Sequence, residues 1–169
     1  MKITKRWKLA VALLAITAIA MTSLASARNW TRTKKYTDSS FNPDKEYSQL
    51  YANVNLNVNY QGTRATFVGE TSNAWCGATP YVAEELILTN TYKVNAQSSA
   101  SFSIGVTSIG SGAGFSVYST SETNTLTNNW WNRLSFDHEA NGSSILSASM
   151  SVYGRTKVKG RTFSASMGS

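Results

Sequence analysis

From Asn53 to Tyr60 the chain alternates without a break, with Asn53, Asn55, Asn57 and Asn59 set between Val54, Leu56, Val58 and Tyr60. A period of two puts every apolar residue on one face, which a strand can bury and a helix cannot. Asparagine is a poor strand former, so burial of the opposite face has to sustain the segment. The Asn row then meets water or a polar ligand. The same period recurs at Leu86 and Leu88 against Ile87, at Leu134 and Phe136, and at Leu146, Ala148, Met150 and Val152 against Ser147, Ser149, Ser151 and Tyr153. Gln61-Gly62 and Asn141-Gly142 mark turns, the second most strongly, because a type I′ turn needs positive φ at both central residues. Asp38–Asp44 and Ser72–Pro80 read as loops, and Glu122–Asn132 reads as a polar connection. Arg28–Tyr36 reads as a partly exposed edge strand guarded by lysines, with a mobile N-terminal arm as the alternative. About eight alternating segments with no constant repeat predict an all-β fold, an antiparallel β-sandwich or partly closed barrel.

The N-terminus follows a different grammar. Lys2, Lys5, Arg6 and Lys8 precede an apolar run from Leu9 to Met21, and Ala25-Ser26-Ala27 follows. A basic region, a short apolar core and a small-x-small end describe a secretory signal peptide, residues 1–27, cut after Ala27. The secreted domain is then 28–169, long enough for one core. Four of the 16 basic residues leave with the leader, so twelve face nine acidic ones and the net charge falls from +7 to +3. So small an excess does not point to nucleic acid. Cys76 stands alone and allows no internal disulfide, only pairing with another chain. One His and one Cys make no zinc site of the usual kind, and no cofactor motif is present.

Catalysis finds little to work with. The imidazole of His138 lies in Asp137-His138-Glu139, ahead of the Asn-Gly turn, where exposure to solvent is expected. A Cys76–His138 dyad lacks the local signature of cysteine enzymes, and there is no G-x-S-x-G elbow. Glycoside hydrolysis needs two facing carboxylates. Glu84 and Glu85 are adjacent and point opposite ways on a strand, which leaves pairs such as Glu70 with Glu122 for a secreted hydrolase. A non-enzymatic domain is the expectation.

Binding has more support. Trp130-Trp131 sits in a polar stretch, and paired indoles can stack on sugar rings or seat at a lipid interface. Burial of one of the two at a core end is the competing expectation. Arg155, Lys157, Lys159 and Arg161 alternate, so on one strand they would form a basic stripe roughly 20 Å long. Such a stripe suits an anionic wall polymer or a lipid surface, and equally guards an edge. Asn29-Trp30-Thr31 and Asn141-Gly142-Ser143 match the N-glycosylation pattern.

The stretch Val94–Ser121 contains no charged residue and eleven Ser or Thr. It reads as a hairpin, its arms Ser98–Ser108 and Ala113–Ser121 flanking the Gly-rich tip 110–114. The pattern resembles the inserting hairpin of β-pore-forming toxins, with Phe102, Ile104, Val106, Phe115 and Val117 as the residues facing lipid. A membrane-active or bacteriocin-like toxin is therefore the alternative to a secreted domain that binds a saccharide, an anionic polymer or a cell surface. As an ordinary hairpin, the same residues would join the core.

Overall fold

A computed structural model describes residues 26–97, 99–104, 107–111 and 115–169. The expected leader falls almost wholly outside the described residues, as does Val106. Ten strands occur among the described residues: β1 (Ser26–Tyr36), β2 (Tyr47–Val58), β3 (Arg64–Cys76), β4 (Ala83–Ala96), β5 (Ala100–Phe102), β6 (Thr107–Ser111), β7 (Ser116–Asn129), β8 (Trp131–Gly142), β9 (Ile145–Val158) and β10 (Arg161–Gly168). They form two five-stranded antiparallel sheets, β1-β2-β3-β8-β5 and β10-β9-β4-β7-β6. The fold is an all-β sandwich, with ten strands where about eight were expected.

The Asn-alternating segment behaves as its period requires. Leu50, Ala52, Val54, Leu56 and Val58 of β2 are buried, while Asn53, Asn55 and Asn57 are exposed. Asn59 is not part of that row. Its Oδ1 accepts from the backbone N–H groups of Thr63 and Arg64, closing the β2–β3 turn. Tyr60 is correspondingly exposed. β1 is an edge strand pairing with β2 alone, and it begins at Ser26, so cleavage after Ala27 would remove its first two residues. Arg32 and Lys34 donate to the carbonyls of Gly168 and Ser166 at 2.6 and 3.2 Å, tying this edge to β10 of the facing sheet.

Three sequence expectations are corrected, and each error comes from the chain changing sheets. Glu122–Asn132 is no connection: β7 runs to Asn129 in one sheet and β8 starts at Trp131 in the other. The polar residues of β7 are held by cross-strand hydroxyl pairs, Thr89–Thr123 and Thr91–Ser121, both at 2.9 Å. Asn141-Gly142 is not a hairpin turn but the end of β8, paired with Ser101 and Ala100, after which the chain crosses to β9. A register shift beside Ile145 then buries Ile145 and leaves Leu146 exposed, and Met150, Val152 and Val158 resume the inward face. The third correction concerns Val94–Ser121. Its first arm is divided, with β5 in one sheet and β6 in the other, so only β6 and β7 form a hairpin.

β3 also runs further than its Gly- and Pro-rich end suggested, carrying Asn73 and Trp75 into the interior. Trp75 caps one end of the core, edge-on to Phe41 with centroids 5.6 Å apart, and its indole N–H donates to the Pro80 carbonyl. Between the sheets, Tyr36 donates to Asn73 Oδ1 at 2.7 Å, and Asn73 Nδ2 donates to the carbonyls of Ile87 and Arg155, both at 3.1 Å. Ser48 and Thr156 complete this buried polar network at 2.6 Å. Satisfied polar groups of this kind specify one facing register.

Burial pushes the Tyr36 phenol up from 10.0 to about 12, despite opposing hydrogen bonds to Thr156, Ser48 and Asn73. Burial, reinforced by the Glu122 carboxylate, also raises Tyr92. A raised phenol is neutral in both states below pH 10, so its contribution is fully present there. That contribution is lost as pH climbs through the folded value. Denaturant titrations should therefore show steady stability up to about pH 10, then a fall of about 1.4 kcal/mol per pH unit for each such phenol. Tyr36→Phe should remove that residue's share of the fall and leave the share of Tyr92, while costing about 1 kcal/mol at pH 8. Stability unchanged to pH 12 would contradict the burial.

Candidate functional site: an aromatic cleft on the outer sheet face

Inward residues of β2, β3 and β8 leave the alternate positions on the outer surface of the first sheet. Pairing sets them in rows: Thr33, Tyr51, Ser72 and Arg133 in one, Thr31, Asn53, Glu70 and Ser135 in the next. A third row runs Lys35, Gln49, Ala74 and Trp131. Ser72 and Ala74 are small, so the sheet is low between Tyr51 on one side and Trp131 with Arg133 on the other. Tyr51, Glu70, Thr71, Ser72, Trp131 and Arg133 line the resulting cleft of about 190 Å³.

Its walls are fixed by local contacts. Arg133 makes an ion pair with Glu70, and its guanidinium lies 5.7 Å from the centre of the Trp131 ring. Trp131 stacks on Trp130 with centroids 5.8 Å apart and planes 21° from parallel. The pair sits at the point where the chain leaves one sheet for the other. Asn128 there has φ of 51°, the Trp130 carbonyl accepts from Trp75 N–H at 2.8 Å, and the Trp131 N–H donates to Asn129 Oδ1. Trp130 and Trp131 remain 45 and 40 % exposed. Burial of one of them was the competing expectation. Trp75 has taken that place at the core end instead.

The basic residues are arranged otherwise than one stripe. β9 ends at Val158, Lys159-Gly160 form a two-residue turn with φ of 50° and 72°, and Arg161 begins β10 opposite Val158. A turn with both central residues at positive φ is the type I′ hairpin that Asn141-Gly142 had been expected to make. Carboxylates meet three of the four: Glu85 holds Arg155 at 2.6 Å, Glu84 faces Lys157 at 3.5 Å and Glu46 faces Lys159 at 3.3 Å. The fourth, Arg161, helps hold the Asp38 carboxyl below its usual range, after the larger effect of hydrogen bonds from Ser40.

The apolar hairpin set is likewise divided. Phe102 is buried and Ile104 packs against the core, whereas Phe115 and Val117 are exposed. Among the described residues of the set, no single lipid-facing surface unites them.

The catalytic pairings weighed from sequence do not assemble. Phe67 of β3 pairs with His138, and Cys76 lies nine residues further along, roughly 30 Å away. Glu70 faces outward while Glu122 points between the sheets, and Glu84 and Glu85 hold different cations. His138 is not solvent-exposed as its position suggested. Its side chain is 16 % accessible, 3.3 Å from Glu122 and edge-on to Tyr92. Glu122 in turn accepts from Tyr92 and from Asn90, whose Oδ1 accepts from Thr71. Among the described residues, no three His, Cys, Asp or Glu side chains gather as a metal site.

The sequence singled out Trp130 and Trp131 for binding and Glu70 only as a catalytic candidate, and it gave no sign of Tyr51, Ser72 and Arg133. Only strand register joins them, and the usable signal was the pair of small residues, Ser72 and Ala74, spaced at period two.

No protein-family model matches the chain, and no curated protein matches it in sequence. Among solved structures, the GAE domain of GGA2p from Saccharomyces cerevisiae is similar over 82 % of this chain and 94 % of that one. The identity is 6 % and the TM-score 0.26, a likeness too slight to carry an argument.

Proposed function

We propose that the chain is an exported, non-enzymatic binding domain that holds a saccharide-bearing cell-surface partner through the Trp130–Trp131 end of its first sheet. The observation that carries this reading is the stacked, exposed indole pair beside a cleft with a polar floor. Exposed indoles lose apolar area to water, and covering them with the face of a sugar ring recovers it while their N–H groups stay free to donate. The anionic-polymer version draws less support, because Arg155, Lys157 and Lys159 already face carboxylates. A membrane-active reading rests on Phe115 and Val117, without Phe102 and Ile104. Dye release from liposomes is its test.

Retention on purified cell-wall polysaccharide tests the leading reading. Trp131→Ala should weaken retention about tenfold, or about 1.4 kcal/mol, the scale of a lost aromatic stack. Neutralising Arg155, Lys157, Lys159 and Arg161 together should leave it within about twofold. The reverse pattern would transfer the role to the basic residues.

A further inference from the structure

We infer that the cleft between Tyr51 and Trp131 is a subsite for one neutral pyranose ring, an inference that rests on the saccharide reading above. The first reason is size. Tyr51 and Arg133 stand on strands either side of Ser72, about 10 Å apart at the usual strand spacing. The open cleft of about 190 Å³ is below the range of about 300–1,000 Å³ that holds a drug-sized ligand, so it takes one ring and not a folded chain.

The second reason is the chemistry of the rim. The Glu70 carboxylate only accepts hydrogen bonds and the Arg133 guanidinium only donates them. Both are partly exposed, 35 and 48 %, and side by side. A vicinal diol matches this pair, since each hydroxyl both donates and accepts: one donates to Glu70 and its neighbour accepts from Arg133. Selectivity follows from the same pair. A uronate or phosphate entering beside Arg133 also meets Glu70, and an amino sugar meets the reverse conflict, so the balanced rim favours an uncharged sugar. Ser72 adds a hydroxyl at the floor, and the cation–π contact of Arg133 with Trp131 is in place before ligand arrives, which lowers the ordering cost of binding.

The experiment uses the secreted chain on immobilised glucan, mannan, galactan, chitin and polygalacturonate, at low and high salt. Expected is retention on at least one neutral polymer, little changed by salt and displaced by its free monosaccharide. Glu70→Gln, Tyr51→Ala and the cleft-filling Ser72→Phe should each weaken it tenfold or more, with melting temperatures confirming that each variant is folded. Should Trp130→Ala abolish retention while folded forms of those three variants bind normally, the subsite is wrong and the binding reading stands. Preferred, salt-sensitive binding to polygalacturonate overturns the choice of a neutral sugar. Retention on none of the polymers overturns both readings.

Discussion

Truncating Phe67 to alanine should cost about 3–5 kcal/mol, enough to unfold much of a domain of ordinary stability. Phe67 is fully buried, on the inward face of β3. Its ring meets Tyr92 edge-on at 5.3 Å and Phe102 at 6.3 Å, and Tyr92 continues the contact to Phe136 at 5.5 Å. These four rings come from both sheets, from β3, β4, β5 and β8. A void at Phe67 therefore cannot be filled by moving one strand, and the cost should lie toward the upper end for aromatic truncations. Phe67→Leu, which retains most of the volume, should cost less than half as much in the same urea titration. Equal losses would mean that ring packing is not what joins the sheets here.

Gly69→Ala should be almost as damaging, on the order of 2–4 kcal/mol, although it adds a single methyl group. A Cβ on Gly69 would overlap the carbonyl oxygen of Asn53 and come within 3.1 Å of Val54 Cα, both on the paired strand β2. Neither obstacle is a flexible side chain. The strands must part or β3 must bend, and β3 cannot bend freely because β8 pairs along its other edge. Gly160→Ala is a useful contrast. The space around Gly160 is open, so the cost there reflects positive φ alone, about 1 kcal/mol. If Gly69→Ala proved as mild as Gly160→Ala in the same denaturation series, the close approach of β2 to β3 would be wrong.

The sequence spoke clearly wherever one face of a strand met the core and the other met water. β2 is the plain case, because Val54, Leu56 and Val58 contrast with Asn53, Asn55 and Asn57 in both polarity and burial. β7 shows why the rest was obscure. Its outward residues Ser121, Thr123, Thr125 and Thr127 and its inward residues Glu122 and Asn124 are alike polar, so alternation leaves no hydropathy contrast to read. The inward ones are tolerated because they find partners, Glu122 with Tyr92 on the neighbouring strand β4 and with His138 across the sandwich, Asn124 with Asn132 across it. Turn chemistry misled for a related reason. Asn-Gly carries a strong local preference, but whether the next strand returns to the same sheet or enters the facing one depends on what each sheet has room to pair. The indole pair was legible because two adjacent tryptophans are conspicuous in any context. Tyr51, Glu70 and Arg133 were not, being ordinary residues made neighbours only by the registers of β2, β3 and β8.

The tryptophan side chains offer a test with its own internal controls. Trp131 lines the cleft, Trp75 is buried with its N–H bonded to the Pro80 carbonyl, and Trp30 lies away on edge strand β1. In ¹⁵N–¹H spectra of residues 28–169, titration with an oligosaccharide of the retained polymer should shift the Trp131 indole resonance in a saturable way. The Trp75 and Trp30 indoles should stay in place. Saturable binding that leaves the Trp131 indole unmoved would contradict a sugar site in this cleft.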